Sequence, residues 1–202
     1  MADPLLLDLP DAIRTSRLVL RTPRAGDGAA WFDALRESLP ELRRHLGWLP
    51  WVASDPTPES AEVHCRTAQA NFIARKDLLF LMLEPTSGRV LGAGGLHRPV
   101  WSTPKVEVGY WCRTSCTGRG YVAEAVAALV DYAFAHLDAV RVELVTDAEN
   151  LASRRVADRV GFALEGILRH ERRAPDGSLR DTCIYARLRA PAPEPAGASK
   201  PS

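Results

Sequence analysis

Two glycines one residue apart, Gly118 and Gly120, stand where a strand-like segment gives way to a helix-like one. Residues 106–111 alternate in the manner of a β-strand, and apolar residues then recur at helical spacing up to Leu137. Glycine accepts positive φ angles and close ligand approach, while a helix start offers unbonded N–H groups. The pattern predicts a phosphate or pyrophosphate site; a glycine-rich turn that merely starts a helix is the alternative.

A second strand–helix unit follows. Residues 140–146 are rich in β-branched side chains, Asn150 suits a helix N-cap, and Gly161 suits the residue after a helix end. Together with the segment around Gly118, this predicts a βαβ crossover. Ligands of such sheets bind at the carboxyl ends of the strands, which is where the glycine loop lies.

The other segments complete one α/β sheet. Strands are predicted at 17–21, 78–83, 90–96, 164–169 and 179–188, with a turn at 175–177. Helices are predicted at 27–36, capped by Asp27, at 57–76, and in a helix-then-loop stretch over 40–51. This order implies a mixed sheet with helices on both faces. We expect an N-terminal extension at 1–13, one domain at 14–189 and a disordered tail at 190–202.

Composition excludes several classes of protein. The net charge of +1 gives no bulk attraction to nucleic acid or to a membrane. The four cysteines lack zinc-ligand spacing, so we expect no metal and reduced thiols in the cytoplasm. No segment looks like a signal peptide or a membrane span. Arginine greatly outnumbers lysine, which is typical of a GC-rich bacterial genome.

Four motifs resemble, in order and spacing, the GNAT superfamily of acyl-CoA-dependent N-acyltransferases: Gly109-Tyr-Trp, Gly118-Arg-Gly-Tyr, Glu149-Asn-x-x-Ser and Gly161-Phe. Three further stretches are similar to the RimJ/RimL type: residues 15–21, 48–51 and 165–169. The resemblance covers residues 14–189. It implies a mostly antiparallel sheet in which strands 106–111 and 140–146 splay apart, with the pantetheine of acetyl-CoA, the acyl donor, in the gap.

The resemblance also implies a set of cofactor contacts: Trp111, Cys112, Arg113, Ser115, Gly118, Arg119, Gly120, Tyr121, Val122, Asn150 and Ser153. Trp111 and Cys112 are expected to act through their backbone groups. Ser115 departs from the Gln or Arg that the family commonly has there, so one side-chain contact is in doubt. For Arg113 and Arg119 the alternative is a solvated surface charge.

Acyl transfer to an amine needs a neutral amine and a proton for the leaving thiolate. The resemblance places the Ser153 hydroxyl at the CoA sulfur; an exposed helix serine is the alternative. Glu107 is the predicted base, because it lies on the strand beside the gap, and a half-exposed strand glutamate is the alternative. Glu171 and His170 are the other candidates for the base.

The expected acceptor is a primary amine, either a protein or peptide N-terminus or a small molecule such as an antibiotic, amino acid or polyamine. Its pocket is expected around the 170–181 hairpin and the N-terminal third, at Trp31, His45, Trp48 and Trp51, although these tryptophans could equally form a second core. A homodimer is left open. Two rival interpretations are a non-catalytic acyl-CoA-binding protein and a nucleotide-binding module, although the latter lacks the Gly-x-x-x-x-Gly-Lys pattern.

Overall fold

The computed structural model describes residues 3–47, 49–174 and 176–190. In these residues eight strands form one sheet in the order β1-β2-β3-β4-β5-β6-β8-β7. The strands are β1 (Ala12–Arg14), β2 (Val19–Arg21), β3 (Leu78–Leu83), β4 (Val90–Val100), β5 (Lys105–Cys112), β6 (Arg141–Asp147), β7 (Ala163–Arg173) and β8 (Leu179–Leu188). The helices are α1 (Gly28–Leu46), α2 (Pro50–Ala53), α3 (Pro58–Ile73), α4 (Tyr121–His136) and α5 (Leu151–Val160). The predicted mixed α/β fold is confirmed.

Helices cover both faces of the sheet. Because side chains alternate along a strand, β3 contributes to two cores. Phe80 packs in a core with Leu129 of α4 and Ala157 of α5, on the side that we call the back face. Leu81 packs in a second core with Trp31 of α1 and residues of α3, on the side that we call the front face.

The sheet splits between β5 and β6. These parallel neighbours pair only from Lys105↔Arg141 to Glu107↔Glu143. Beyond that point β5 stays paired with β4 as far as Cys112, and β6 stays paired with β8 as far as Asp147. Each strand is therefore held by its outer neighbour while a gap opens towards the carboxyl ends. The predicted splayed pair is confirmed.

Helix α1 differs from the prediction. It is one helix from Gly28 to Leu46 with Pro40 inside it, so the predicted break near residue 36 is wrong. A proline in a helix interior costs about 3 kcal/mol, and burial of the face that carries Trp31, Leu35 and Leu39 offsets that cost.

Asp27 occupies the predicted N-cap position of α1, but its side chain makes no cap hydrogen bond. Instead the Asp27 carboxylate accepts two hydrogen bonds from the Arg21 guanidinium, at 2.6 and 2.7 Å. A bidentate charged pair is a stronger partner for a carboxylate than a backbone N–H.

The segment before residue 14 packs onto the domain. Leu9 is buried, β1 pairs with β2, and the Tyr132 hydroxyl donates to the carbonyl of Pro10 at 2.9 Å. The predicted tail lies outside the described residues except for residue 190, as do Trp48 and Pro175. In the described parts of the chain, no helix has both the length and the apolar character needed to cross a bilayer.

Candidate active site

The glycine loop has the backbone that its sequence predicts. Gly118 and Gly120 have φ angles of 75° and 80°, a region that L side chains disfavour. Gly120 is the N-cap of α4 and no side chain caps this helix. The N–H groups of the first turn therefore remain available at the positive end of the helix dipole. Tyr121 and Val122 open this turn.

A cleft of about 640 Å³ borders the loop. It is lined by Arg17, Gly118, Arg119, Gly120, Ala123, Glu124, Ala127, Asp131, Arg159, Val160 and Arg187. The arginines outnumber the two carboxylates, so the cleft favours an anion. The sequence predicted only Arg119 among these arginines. No local pattern marks Arg159 or Arg187, because folding alone brings them to α4.

Glu124 fixes the position of Arg17 beside the loop. Its carboxylate accepts hydrogen bonds from the Thr15 hydroxyl at 2.6 Å and from the Arg17 Nε at 2.6 Å. The same guanidinium donates to the carbonyl of Arg119 at 2.9 Å. Burial opposes the charge, but the hydrogen bonds from Thr15, Arg17 and Ser16 outweigh it and lower the pKa of Glu124 to about 2. Glu124 is thus a permanent anion that ties residues 15–17 to α4.

Arg113 and Ser115 turn towards α1 instead of the cleft. Arg113 is only 8% exposed, and its guanidinium pairs with Asp33 at 2.7 Å and with Glu37. The Ser115 N–H donates to Glu37 at 2.9 Å, and its hydroxyl accepts from Arg89 at 3.1 Å. Burial opposes the charge of Glu37, but the hydrogen bonds from Ser115 and Arg113 lower its pKa to about 2. In this structure the two side chains anchor the loop; Arg113 is neither a solvated charge nor directed at the cleft.

Strand β5 presents backbone groups to the gap at alternate residues. Arg113 N–H donates to Leu91 at 2.8 Å, and the Trp111 carbonyl points at Gly92 of β4. Backbone groups alternate in direction along an antiparallel ladder, so those of Tyr110 and Cys112 point into the gap. The structure therefore brings Cys112 to the gap through its backbone, together with Tyr110 in place of Trp111.

A hydroxyl pair lies on the back face. Asn150 caps α5 by accepting from the Ser153 N–H at 3.0 Å. The Ser153 hydroxyl lies 2.7 Å from the Tyr110 hydroxyl, so this contact joins β5 to α5 across the gap. Burial raises the pKa of Tyr110 to about 12, so the phenol keeps its proton at neutral pH. The sequence does not link Tyr110 to Ser153, because the two residues are 43 positions apart.

The three candidate bases are engaged in different ways. Glu107 lies on the front face, and its carboxylate pairs with Arg98. Glu171 accepts from the Thr182 hydroxyl at 2.7 Å, and that hydrogen bond is the first cause of its lowered pKa. His170 donates its backbone N–H to Asp181 at 2.8 Å.

Aromatic side chains occupy the front face beside the gap. Trp31 stacks on His64 at 4.6 Å between ring centroids and meets Trp111 edge-on at 5.3 Å. Trp31 is 3% exposed, which places it in a second core, and Trp51 packs against that core. Within the described residues, Trp111 Nε1, His64 Nε2 and His45 Nδ1 are buried and have no hydrogen-bond partner. Burial lowers the pKa of His64, which keeps its ring neutral.

Comparison with known families agrees with this geometry. The model of the acetyltransferase (GNAT) domain family matches residues 17–163. The chain belongs to the GNAT acetyltransferase family. As a GNAT protein it is an acyltransferase, and acetyl-CoA is its acyl donor, as the sequence predicted.

Relatives of RimJ and RimL type are among its neighbours. The chain is 29% identical over 186 residues to the uncharacterised N-acetyltransferase p20 of Bacillus licheniformis, covering 89% of this chain and 97% of p20. It is 25% identical to the ribosomal-protein-serine acetyltransferase of Escherichia coli K12, covering 73% of this chain and 79% of that protein. The structure of Mycobacterium smegmatis RimJ in complex with CoA-disulfide superposes with a TM-score of 0.77 at 25% identity, covering 89% and 88% of the two chains. The predicted RimJ/RimL resemblance is confirmed.

Proposed function

We propose that this GNAT enzyme transfers the acetyl group directly to the α-amino group of a protein or peptide N-terminus. The observation that carries the proposal is the exposed outer strand of the sheet beyond the gap. Strand β7 is exposed along nearly its whole length on both of its faces, and Leu164, Ile167 and Leu168 are each about half exposed. An extended polypeptide can lie on such a surface, whereas a small amine would need an enclosed pocket. The ribosomal-protein-serine acetyltransferase of E. coli, whose name gives a protein acceptor, supports the same acceptor class.

The donor site follows from the loop and the gap. The pyrophosphate lies on the N–H groups of residues 118–122, with the Arg119 and Arg17 guanidinium groups beside it. The pantetheine enters the gap, where its amides pair with the free backbone groups of Tyr110 and Cys112 as an added strand would. Asn150 borders this arm at the start of α5.

Transfer then joins the two faces of the sheet. The amine nitrogen attacks the thioester carbonyl carbon from the front face, and the C–S bond breaks as the amide C–N bond forms. The sulfur leaves towards the back face, where the Ser153 hydroxyl, backed by the Tyr110 hydroxyl, donates a hydrogen bond and passes a proton to it, and the pair regains that proton from solvent. Glu107 supplies a carboxylate on the acceptor side, where it attracts an incoming ammonium group.

A panel of acceptors tests this proposal through thiol release from acetyl-CoA. We expect peptides with a free N-terminal serine or alanine to react at least about tenfold faster in kcat/KM than spermidine, amino acids or an aminoglycoside. The same peptides with a blocked N-terminus should be inert, which is the matched control. Faster reaction of a small amine would overturn the acceptor class. Tight CoA binding without any thiol release would favour the non-catalytic acyl-CoA-binding protein.

A further inference from the structure

A histidine–aspartate pair, His97 and Asp77, lies on the front face. His97 Nδ1 is 2.7 Å from the Asp77 carboxylate. Asp77 belongs to the connection between α3 and β3, so the contact reaches across 20 residues of chain. A carboxylate at Nδ1 selects the neutral tautomer that carries its hydrogen there, which leaves a lone pair on Nε2. Neither residue lies in one of the four family motifs of the sequence.

The register of the sheet places this imidazole at the mouth of the gap. His97 on β4 is the direct partner of Glu107 on β5, and Gly95 is the partner of Gly109. Ring atoms of His97 lie 2.8 and 2.9 Å from the positions that Cβ atoms on Gly95 and Gly109 would occupy. The ring therefore packs on a platform formed by these two glycines, where a larger residue would clash with it. Gly109 follows the last residue pair of β5 with β6, so the platform borders the gap.

The imidazole is accessible and its charged surroundings are defined. The His97 side chain is 27% exposed, so an acceptor can reach it. The charged and titratable groups around it are Asp77 from the α3–β3 connection, the Glu107–Arg98 ion pair from β5 and β4, and His64 from α3. Glu107 shares its carboxylate with the Arg98 guanidinium, and the buried His64 Nε2 has no partner in the described residues. His97 Nε2 lies over the two glycines beside the gap, 3.0 Å from the Cβ position of each.

We propose that His97, oriented by Asp77, accepts the proton that the attacking amine loses during acetyl transfer. As the amine nitrogen bonds to the carbonyl carbon, its N–H electron pair stays on nitrogen and the proton moves to His97 Nε2. Asp77 stabilises the imidazolium that results, as a carboxylate does for a catalytic histidine. The proton then leaves to solvent, and the thiolate takes its own proton through the Ser153–Tyr110 pair, which regains one from solvent. This role rests on the proposed function, because it requires that the chain acetylates an amine.

The alternative is a purely structural role, in which the contact between His97 and Asp77 only holds β4 against the end of α3. Four variants separate the two roles: His97→Gln, Asp77→Asn, Glu107→Gln and the matched control His136→Gln, which changes an exposed histidine on α4. The acceptor is whichever amine of the panel the wild-type enzyme acetylates fastest. The readouts are kcat/KM as a function of pH and the rise in Tm on adding CoA.

We expect His97→Gln to lower kcat/KM by about 10²-fold or more at neutral pH, since general bases contribute on that scale. The fall of the wild-type profile on its acidic side should become shallower in this variant, because protonation of the amine remains while no imidazole remains to be protonated. Asp77→Asn should give a smaller loss, and His136→Gln none. The Tm rise with CoA should match wild type in all four variants. In a fifth variant, His97→Ala, added imidazole should restore part of the activity.

Three results would overturn the inference: wild-type kcat/KM in His97→Gln, a loss that only tracks a lower Tm, or an acidic limb that becomes shallower in Glu107→Gln alone. Failure of the proposed function looks different, because the wild-type enzyme itself would then release no thiol with any amine of the panel.

Discussion

At the scale of single residues, the contact between Ser153 and Tyr110 leads to the most specific prediction. Two hydroxyl groups 2.7 Å apart, one on α5 and one on β5, meet across the gap where the proposed thioester lies. Ser153→Ala should lower kcat by about 10²-fold while changing KM for acetyl-CoA much less, because charge develops on sulfur only in the transition state. Steady-state kinetics with saturating acceptor measure both constants.

Tyr110→Phe completes a double-mutant cycle with Ser153→Ala. If the two hydroxyl groups act as a unit, the double variant should be little slower than the slower single variant. Ser87→Ala, in the exposed turn after β3, is the control and should behave as wild type. A Ser153→Ala enzyme with full turnover would return this serine to the role of a helix residue.

At the scale of elements, the start of α4 should decide CoA binding. Gly120→Glu should abolish the rise in Tm that CoA causes, because its carboxylate would repel the pyrophosphate and fill the approach to the N–H groups. The added side chain also strains a backbone with φ of 80°, by about 1–2 kcal/mol. Differential scanning fluorimetry with and without CoA measures the effect.

Gly177→Glu controls for this strain. Gly177 has a φ of 86° and open space around it, in the turn between β7 and β8. This variant should lose stability to a similar degree and keep its response to CoA. An intact CoA response in a folded Gly120→Glu protein would show that CoA binds elsewhere.

The tie between α4 and residues 15–17 predicts a pH dependence of stability. The folded pKa of Glu124 is about 2 against an ordinary value of 4.5. A lowered carboxylate pKa stabilises the folded state above the ordinary value, and that contribution is lost as the pH falls from about 4.5 towards 2. Glu124→Gln should therefore unfold more easily than wild type at pH 7, by about 2 kcal/mol. The difference should shrink below pH 4.5, which urea unfolding at several pH values measures.

The exposed pair of Glu41 with Arg44 provides the comparison. Glu41→Gln should change stability by at most about 0.5 kcal/mol at any pH, because exposed ion pairs contribute little. A Glu124→Gln effect that is equally large at pH 3 and pH 7 would mean that shape, and not charge, holds residues 15–17.

At the scale of the whole molecule, the ligand should join two half-sheets. Strands β1–β5 and β6–β8 share only three residue pairs across the gap. Saturating CoA should stabilise the fold, by about 2.7 kcal/mol at a hundredfold excess over Kd. By hydrogen exchange, the amides of Tyr110 and Cys112 should become protected on binding, whereas that of Trp111, already directed at β4, should change little. A Tm rise without protection at Tyr110 and Cys112 would exclude the gap as the pantetheine site.

The sequence by itself determined the elements whose signals are local. Strands β3 and β8 have the predicted limits. Asn150 and Thr57 cap the starts of α5 and α3 with their side chains, and Gly161, with a positive φ angle, follows the end of α5. The left-handed glycines of the loop and the family of the chain were also readable, because both depend on short motifs. Local conformation is set by a few neighbouring residues, so it can be predicted from the sequence pattern.

Only the tertiary structure decided which side chains meet. Arg17, Arg159 and Arg187 reach one cleft from the β1–β2 connection, α5 and β8, and Arg113, adjacent to the loop, turns away to α1. His97 meets Asp77 because β4 and the end of α3 lie side by side, and Tyr110 meets Ser153 because the gap brings α5 over β5. These contacts depend on packing between elements distant in sequence, where several carboxylates compete for each arginine and distance decides the pairing. The sequence pattern does not show which carboxylate each arginine will pair with, because the packing of the folded chain sets the distances between them.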